Sequence, residues 1–262
     1  MHSVIRQLVR IPTVLLLGFV TAYAQTTPPD RPRNEIEINA TVSIPSGNAN
    51  FSGTTASGNT LDFSRDFDFK NEFGFDIRYI YRSENDKHKF LAEYAHTDWS
   101  RSTVITRSFN FLGQTYVANA AVSGDLTLRA FRGMYAYRWG NPKFRIGPMV
   151  DLGAIHTDLD ITGTTLINGT QTREGSVSKF YATVGYDLDY NPSPKINIYN
   201  NLGAIAFQGE HFFHVDGGVK YFPGRHFGIN GGYKAVRYKL KDNDNVLNIR
   251  THGPFFGGVF RF

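Results

Sequence analysis

From Asn34 onward the apolar residues recur at every second position, and that period limits what the chain can build. In Glu35 to Ile44 the odd positions hold Glu35, Glu37, Asn39, Thr41 and Ser43. The even positions hold Ile36, Ile38, Ala40, Val42 and Ile44. Successive side chains of a strand point to opposite faces, so this alternation describes a strand that is polar on one face and apolar on the other. Glu72 to Arg82 repeats the pattern, with Phe73, Phe75, Ile77, Tyr79 and Tyr81 on one face and Asp76, Arg78 and Arg82 on the other. The same phase marks eight further strands, at 88–99, 126–139, 144–155, 178–190, 195–207, 211–222, 226–240 and 247–262. No segment carries the 3.6-residue period of an amphipathic helix. The expected fold is all-β: a single antiparallel up-and-down barrel of about ten strands, with eight or twelve open if the ribbon at 100–125 counts differently.

The first 24 residues stand apart. Arg6 and Arg10 precede the apolar stretch Ile11 to Val20, and Ala22-Tyr23-Ala24 gives the small-x-small pattern of a cleaved secretory signal peptide. Residues 25–33, rich in Pro, read as a flexible periplasmic leader, and 34–262 as the barrel. The formal net charge of +5 drops by two once Arg6 and Arg10 are set aside, too weak a balance to argue for nucleic acid. The chain has no cysteine, hence no disulfide framework and no thiolate metal site. It has 22 Phe and 14 Tyr, an excess that needs a physical reason.

Position supplies one. Short turns follow every second strand (SENDK, GNPK, NPSP, PGR), whereas the opposite connections are longer, at 45–71, 100–125 and 163–177. Beside the short turns, on the apolar face, stand Tyr81, Phe90, Tyr137, Trp139, Phe144, Tyr190, Tyr221, Phe227, Phe260 and Phe262. A soluble core has no cause to gather rings at one height. A membrane interface does, and short turns at one end with long loops at the other are the asymmetry of an outer-membrane barrel. The closing segment 232–262 resembles the last hairpin of small bacterial outer-membrane β-barrels of the OmpA-like and porin-like type. Its Gly257-x-x-Phe260-x-Phe262 end resembles the C-terminal signal that the barrel-assembly machinery reads in such families, and the hairpin 107–126 looks like one found in the group. The resemblance implies insertion in the outer membrane, handling by that machinery and by periplasmic chaperones, and contact with outer-membrane lipid and lipopolysaccharide. It implies no cofactor.

With the polar faces turned inward, the lumen receives Glu35, Glu37, Asp76, Glu93, Asp151, Asp187, Asp189 and Asp216 against Arg78, Arg82, Arg132, Arg138, Arg145, Lys179, Lys220, Lys234 and Arg261. Acids and bases are interspersed, which reads as a salt-bridged interior holding the barrel together. The competing reading is a narrow, porin-like path for small solutes. Three stretches bear residues of catalytic type: His96-Thr97-Asp98, His156-Thr157-Asp158-Leu159-Asp160, and Glu210-His211-x-x-His214-Val215-Asp216. Asp158 and Asp160 with His214 and Asp216 resemble, in composition only, the acid pair and Asp/His pair of omptin-type proteases. Solvated loop-end residues explain them better, so no catalytic residue is expected, and His211 points away from His214, which argues against a metal site. A third reading is adhesion through the loops, with the Gly/Ser/Thr/Asn-rich segment Pro45 to Arg65 as a surface shield or binding element.

Overall fold

The computed structural model describes residues 32–52, 60–242 and 245–262, the side chain of Asp242 aside. The signal peptide expected at 1–24 and all but the end of the leader at 25–33 lie outside them. Ten long strands follow in chain order: β1 (Asn34–Asn50), β2 (Glu72–Arg82), β3 (His88–Val104), β4 (Ala121–Tyr137), β5 (Phe144–Thr165), β6 (Gly169–Ser193), β7 (Ile196–Phe207), β8 (Glu210–Tyr221), β9 (Phe227–Asp242) and β10 (Asn245–Arg261). Each pairs antiparallel with its neighbour in the chain. β10 then pairs with β1 and closes the ring. That seam runs from Glu35 opposite Arg261 to Asn50 opposite Val246. At its end Phe262 N–H donates to Asn34 O (3.0 Å) and Asn34 N–H to Phe262 O (3.1 Å). Closure gives every strand a partner on both sides, the condition for strands to cross lipid, while β6 above Val184 and β3 beyond His96 run on past the ends of β7 and β2.

The alternation reverses its polarity partway up the wall. On β5, Phe144, Val150 and Leu152 point outward and are exposed, while Arg145 and Asp151 are buried inside. Beyond Ala154 the order is opposite: Ile155, Leu159 and Ile161 are buried inside, and His156, Asp158 and Asp160 point out. The same break falls between Tyr94 and His96 on β3, Phe131 and Arg129 on β4, and Phe180 and Ser178 on β6. These breaks are in register, with His96 opposite Arg129, Arg129 opposite His156, and His156 opposite Ser178. Below that row the barrel is polar inside and apolar outside; Phe180, for example, is 90% exposed. So broad an apolar surface is solvated by lipid. Above the row the barrel is apolar inside and polar outside, as for a protein in water. One closed sheet thus meets two solvents, and the pattern turns over where the solvent changes.

The reversal explains why strand ends differ from those read in the sequence. Residues 163–177, expected as a loop, belong to β5 and β6, which continue to Thr165 and Gly169 and leave a turn at 166–168. β3 and β4 likewise run on to Val104 and back to Ala121, with a small hairpin (Phe109–Phe111 and Gln114–Tyr116) between them. Among the described residues on this side, Gln208-Gly209 forms a two-residue connection, both at positive φ (49° and 82°), as a two-residue turn that matches strand twist requires. At the other end the rings from Tyr81 to Phe262 stand on the outward face beside the short turns, in contact as Tyr81–Phe90, Tyr137–Trp139, Phe227–Phe260 and Phe260–Phe262.

Candidate functional site

Inside the lipid-spanning half the bore is filled by charge. Arg78 of β2, 1% exposed, reaches Asp216 at 2.8 Å, Asp76 at 2.9 Å, Glu93 at 3.4 Å and Glu37 at 3.7 Å. Its guanidinium also lies 5.3 Å from the centre of the Phe255 ring. Glu93 takes Arg132 at 2.8 Å and also Lys234. Nearer the short turns Glu35 is shared by Arg82 (2.9 Å), Arg261 (3.0 Å) and Lys220, which also bonds Glu37. Lys89 meets Asp187 at 2.7 Å, and Arg138 reaches Asp189 and Asp86. Charges this deeply buried are tolerable only with partners on several sides, which a narrow cylinder of inward carboxylates and guanidiniums provides. Each residue arrives by period two alone, because i and i+2 on one strand face the same lumen.

The other half of the bore is filled by an apolar plug. The connection after β1 folds inward, so that Phe51, Leu61, Phe63, Phe67 and Phe69 are buried. Within the segment Pro45 to Arg65, read from the sequence as a surface shield or binding element, Ala49, Phe51, Leu61 and Phe63 are buried, and 53–59 lie outside the described residues. Phe109, Phe111 and Tyr116 from the hairpin after β3 join them, against Trp99, Leu159 and Ile249 of the wall. Phe67 packs on Phe69 and Phe109 at 5.4 and 6.2 Å, and Phe51 on Phe111 at 5.4 Å. Ion pairing pins the plug: the Asp66 carboxylate accepts from Arg107 Nε at 3.1 Å and Nη2 at 2.7 Å. Arg107 also donates to the carbonyl of Thr60 at 2.7 Å. Burial alone would raise the Asp66 carboxyl, but hydrogen bonds from Arg65, Arg107 and the Asp62 backbone outweigh it and hold it well below the usual carboxylate range. Beneath the plug Tyr181, Phe212 and Tyr238 are in ring contact at 4.7 to 5.8 Å, the first two stacked. Gly153 makes room for them, since a Cβ there would sit 2.3 Å from Cζ of Tyr181. Between the two layers remains a cavity of about 60 Å³, lined by Glu93, Arg132, His214, Lys234, Tyr181 and Tyr238. That is room for a few waters.

The rim candidates do not converge. Asp158 and Asp160 lie above the reversal on the outward phase, where Asp158 takes His156 (2.9 Å) and Arg129 (3.2 Å). His214 is inside and buried, 3.5 Å from Asp151, while Asp216 is taken by Arg78. The acid pair and the His/Asp pair therefore stand on opposite sides of the wall. His96 and Asp98 pair at 2.7 Å on the outer surface. Two lumen candidates also sit elsewhere. Lys179 lies at the row of the reversal, beside Glu210 at 3.5 Å. Arg145 lies in the short-turn cluster, donating to the carbonyls of Gly140 (3.0 Å) and Asn85 (3.3 Å). The sequence reading missed Lys89, although it shares the phase of Glu93 four residues on. It also missed the buried amides Asn39, Asn197 and Asn230, which bridge Asp76, Asp189 and Glu37.

No protein-family model and no curated protein sequence matches the chain. Among solved structures it is similar to the outer membrane protease OmpT from Escherichia coli, with a TM-score of 0.65 and 8% identity over 92% of this chain and 99% of that one. The translocator domain of the autotransporter NalP from Neisseria meningitidis overlays at 0.49, with 10% identity over 89% and 90%. Ail of Yersinia pestis overlays at 0.36, with 16% identity over 88% and 99%. At 8% identity the OmpT likeness speaks for fold and not for chemistry. Ring closure, the lipid-facing band and that likeness agree: the chain has the fold of a bacterial outer-membrane β-barrel protein.

Proposed function

We propose that this protein is a structural component of the outer membrane, a barrel whose bore is closed rather than conducting. The observation that carries the reading is the filling of the lumen by two successive layers, with room for only a few waters between them. The salt-bridged layer, Glu37, Asp76, Arg78, Glu93, Arg132, Asp187, Asp216, Lys220 and Lys234 among its members, holds the strands at fixed spacing. The plug seals the side opposite the short turns. The chain is exported through a signal peptide cleaved after residue 24, and its Phe260 and Phe262 serve as the handle for the assembly machinery. The rings from Tyr81 to Phe262 form the girdle at the periplasmic interface. The protein needs no cofactor and performs no catalysis.

Liposome swelling tests this. Vesicles carrying the folded protein in an isotonic small sugar should not swell faster than empty vesicles. Swelling at porin-like rates would reject the closed barrel. A rim protease is the second reading, on the residue types of Asp158, Asp160, His214 and Asp216. Against it stands the placement of Asp158 and Asp160 outside and His214 inside. Cleavage of a basic peptide by the folded protein, lost in His214→Ala, would restore it.

A further inference from the structure

Above the lipid-facing band the outward surface is divided by charge. On the β3–β6 side the outward bases of the rows above the band are matched by acids: His96 with Asp98, and Arg129 and His156 with Asp158. Half-way round the ring the balance is lost. Arg237 of β9 lies directly opposite Arg250 of β10, and one row further from lipid Lys239 lies between His211 of β8 and Asn248 of β10. Lys241 follows on β9. The outward neighbours of this group are Phe213 on β8 and Ser46 and Asn48 on β1, none of them acidic. Among the described residues no ion pair involves Arg237, Lys239, Lys241 or Arg250. The one acid at the head of β8, Glu210, is engaged by Lys179 and by the Lys241 backbone N–H. Arg237 Nε, although shut off from water, has no hydrogen-bond partner. Like charges directly opposed on neighbouring strands destabilise a sheet, so the arrangement calls for a counter-charge from outside the chain.

The height of the patch indicates what brings it. The next row towards lipid holds His252, bonded to Tyr233 Oη at 2.6 Å, and after it the exposed apolar band of Tyr233, Phe256 and Ile229 begins. A molecule lying against that band while presenting an anion one row above it is a lipid with a phosphorylated headgroup. We propose that Arg237, Arg250 and Lys239 bind such a headgroup. The two opposed guanidiniums supply forked donors that suit phosphate oxygens, and Lys239 a point charge. The inference rests on the barrel lying in a bilayer, and its test separates the two claims.

Wild type, Arg237→Gln/Arg250→Gln and, as a control on the opposite wall, Arg129→Gln are folded into phosphatidylcholine vesicles containing bisphosphorylated lipid A or its dephosphorylated form. Retained lipid is measured by native mass spectrometry. Wild type and the control should hold the bisphosphorylated lipid and not the dephosphorylated one. The double variant should bind it roughly a hundredfold more weakly, about tenfold per guanidinium. Undiminished binding by the double variant would overturn the proposal. So would displacement of the lipid by equimolar inorganic phosphate, which marks a free-anion site. Self-association through the patch in pure phosphatidylcholine, abolished by the double substitution, would assign the surface to a second copy and overturn it too. Heat-modifiable gel mobility of each protein reports on the barrel itself; its loss in wild type would fault the transmembrane fold and not the site.

Discussion

Arg78 shows what a single charge does in a narrow bore. Four carboxylates lie within 3.7 Å of it, and it is almost wholly buried. Arg78→Met keeps most of the volume and leaves those acids uncompensated, so it should cost about 3–5 kcal/mol in urea unfolding from vesicles, the usual penalty for breaking a buried pair. Adding Asp216→Asn should recover part of the loss, since the two residues share one interaction. A loss below about 1 kcal/mol, within the range of a surface pair, would contradict the buried network. Asp66 makes a comparable case outside the membrane. Its folded carboxyl titrates below the unfolded value, so the latch to Arg107 contributes its full stability above about pH 4, and that contribution is lost as pH falls through the lower, folded value. Limited trypsin digestion at Arg65 and Arg107 should thus be slow from pH 7 down to pH 5. Asp66→Asn should be cut readily throughout, its charge-assisted bonds of about 1.5–3 kcal/mol being gone.

At the scale of the element, the strands were legible wherever one face meets lipid and the other charge. Phe144 to Ala154 alternates so strongly that β5 could be read from that stretch alone. The same strand was lost beyond His156, because His156-Thr157-Asp158-Leu159-Asp160 alternates with the opposite polarity and reads as a new element or a loop. Following the phase of Asp151 and Gly153 through would have placed Asp158 and Asp160 outside. The lumen charges were legible for the reason the strands were. The plug was not: Leu61, Phe63, Phe67 and Phe69 keep period two, but in a connection that turns instead of running along the wall, and only tertiary packing shows that they turn inward. The last strand carries its own prediction. Phe262 closes the seam with two backbone bonds to Asn34 and stacks on Phe260. Its deletion should lower the yield of heat-modifiable barrel far more than removal of the turn at 166–168, which touches no seam. Equal yields would contradict the role given to the seam.

On the scale of the molecule, one ring of ten strands holds two interiors stacked end to end. Charge fills the interior where lipid surrounds the wall, and aromatic rings fill it where water does. Each layer suits its surroundings, because a wall gives each solvent the face that suits it and turns the other inward. Both layers obstruct the bore, so removing one should leave the other in place. Planar-bilayer recording tests this most directly. The folded wild type should give a flat trace. The plug-stripped variant Phe63→Ser/Phe67→Ser/Phe69→Ser should also stay silent, because the layer centred on Arg78 is intact. Discrete steps should appear only when Arg78→Ala and Glu93→Ala are added to it. Steady stepwise conductance from the wild-type protein, verified as folded, would contradict the closed barrel.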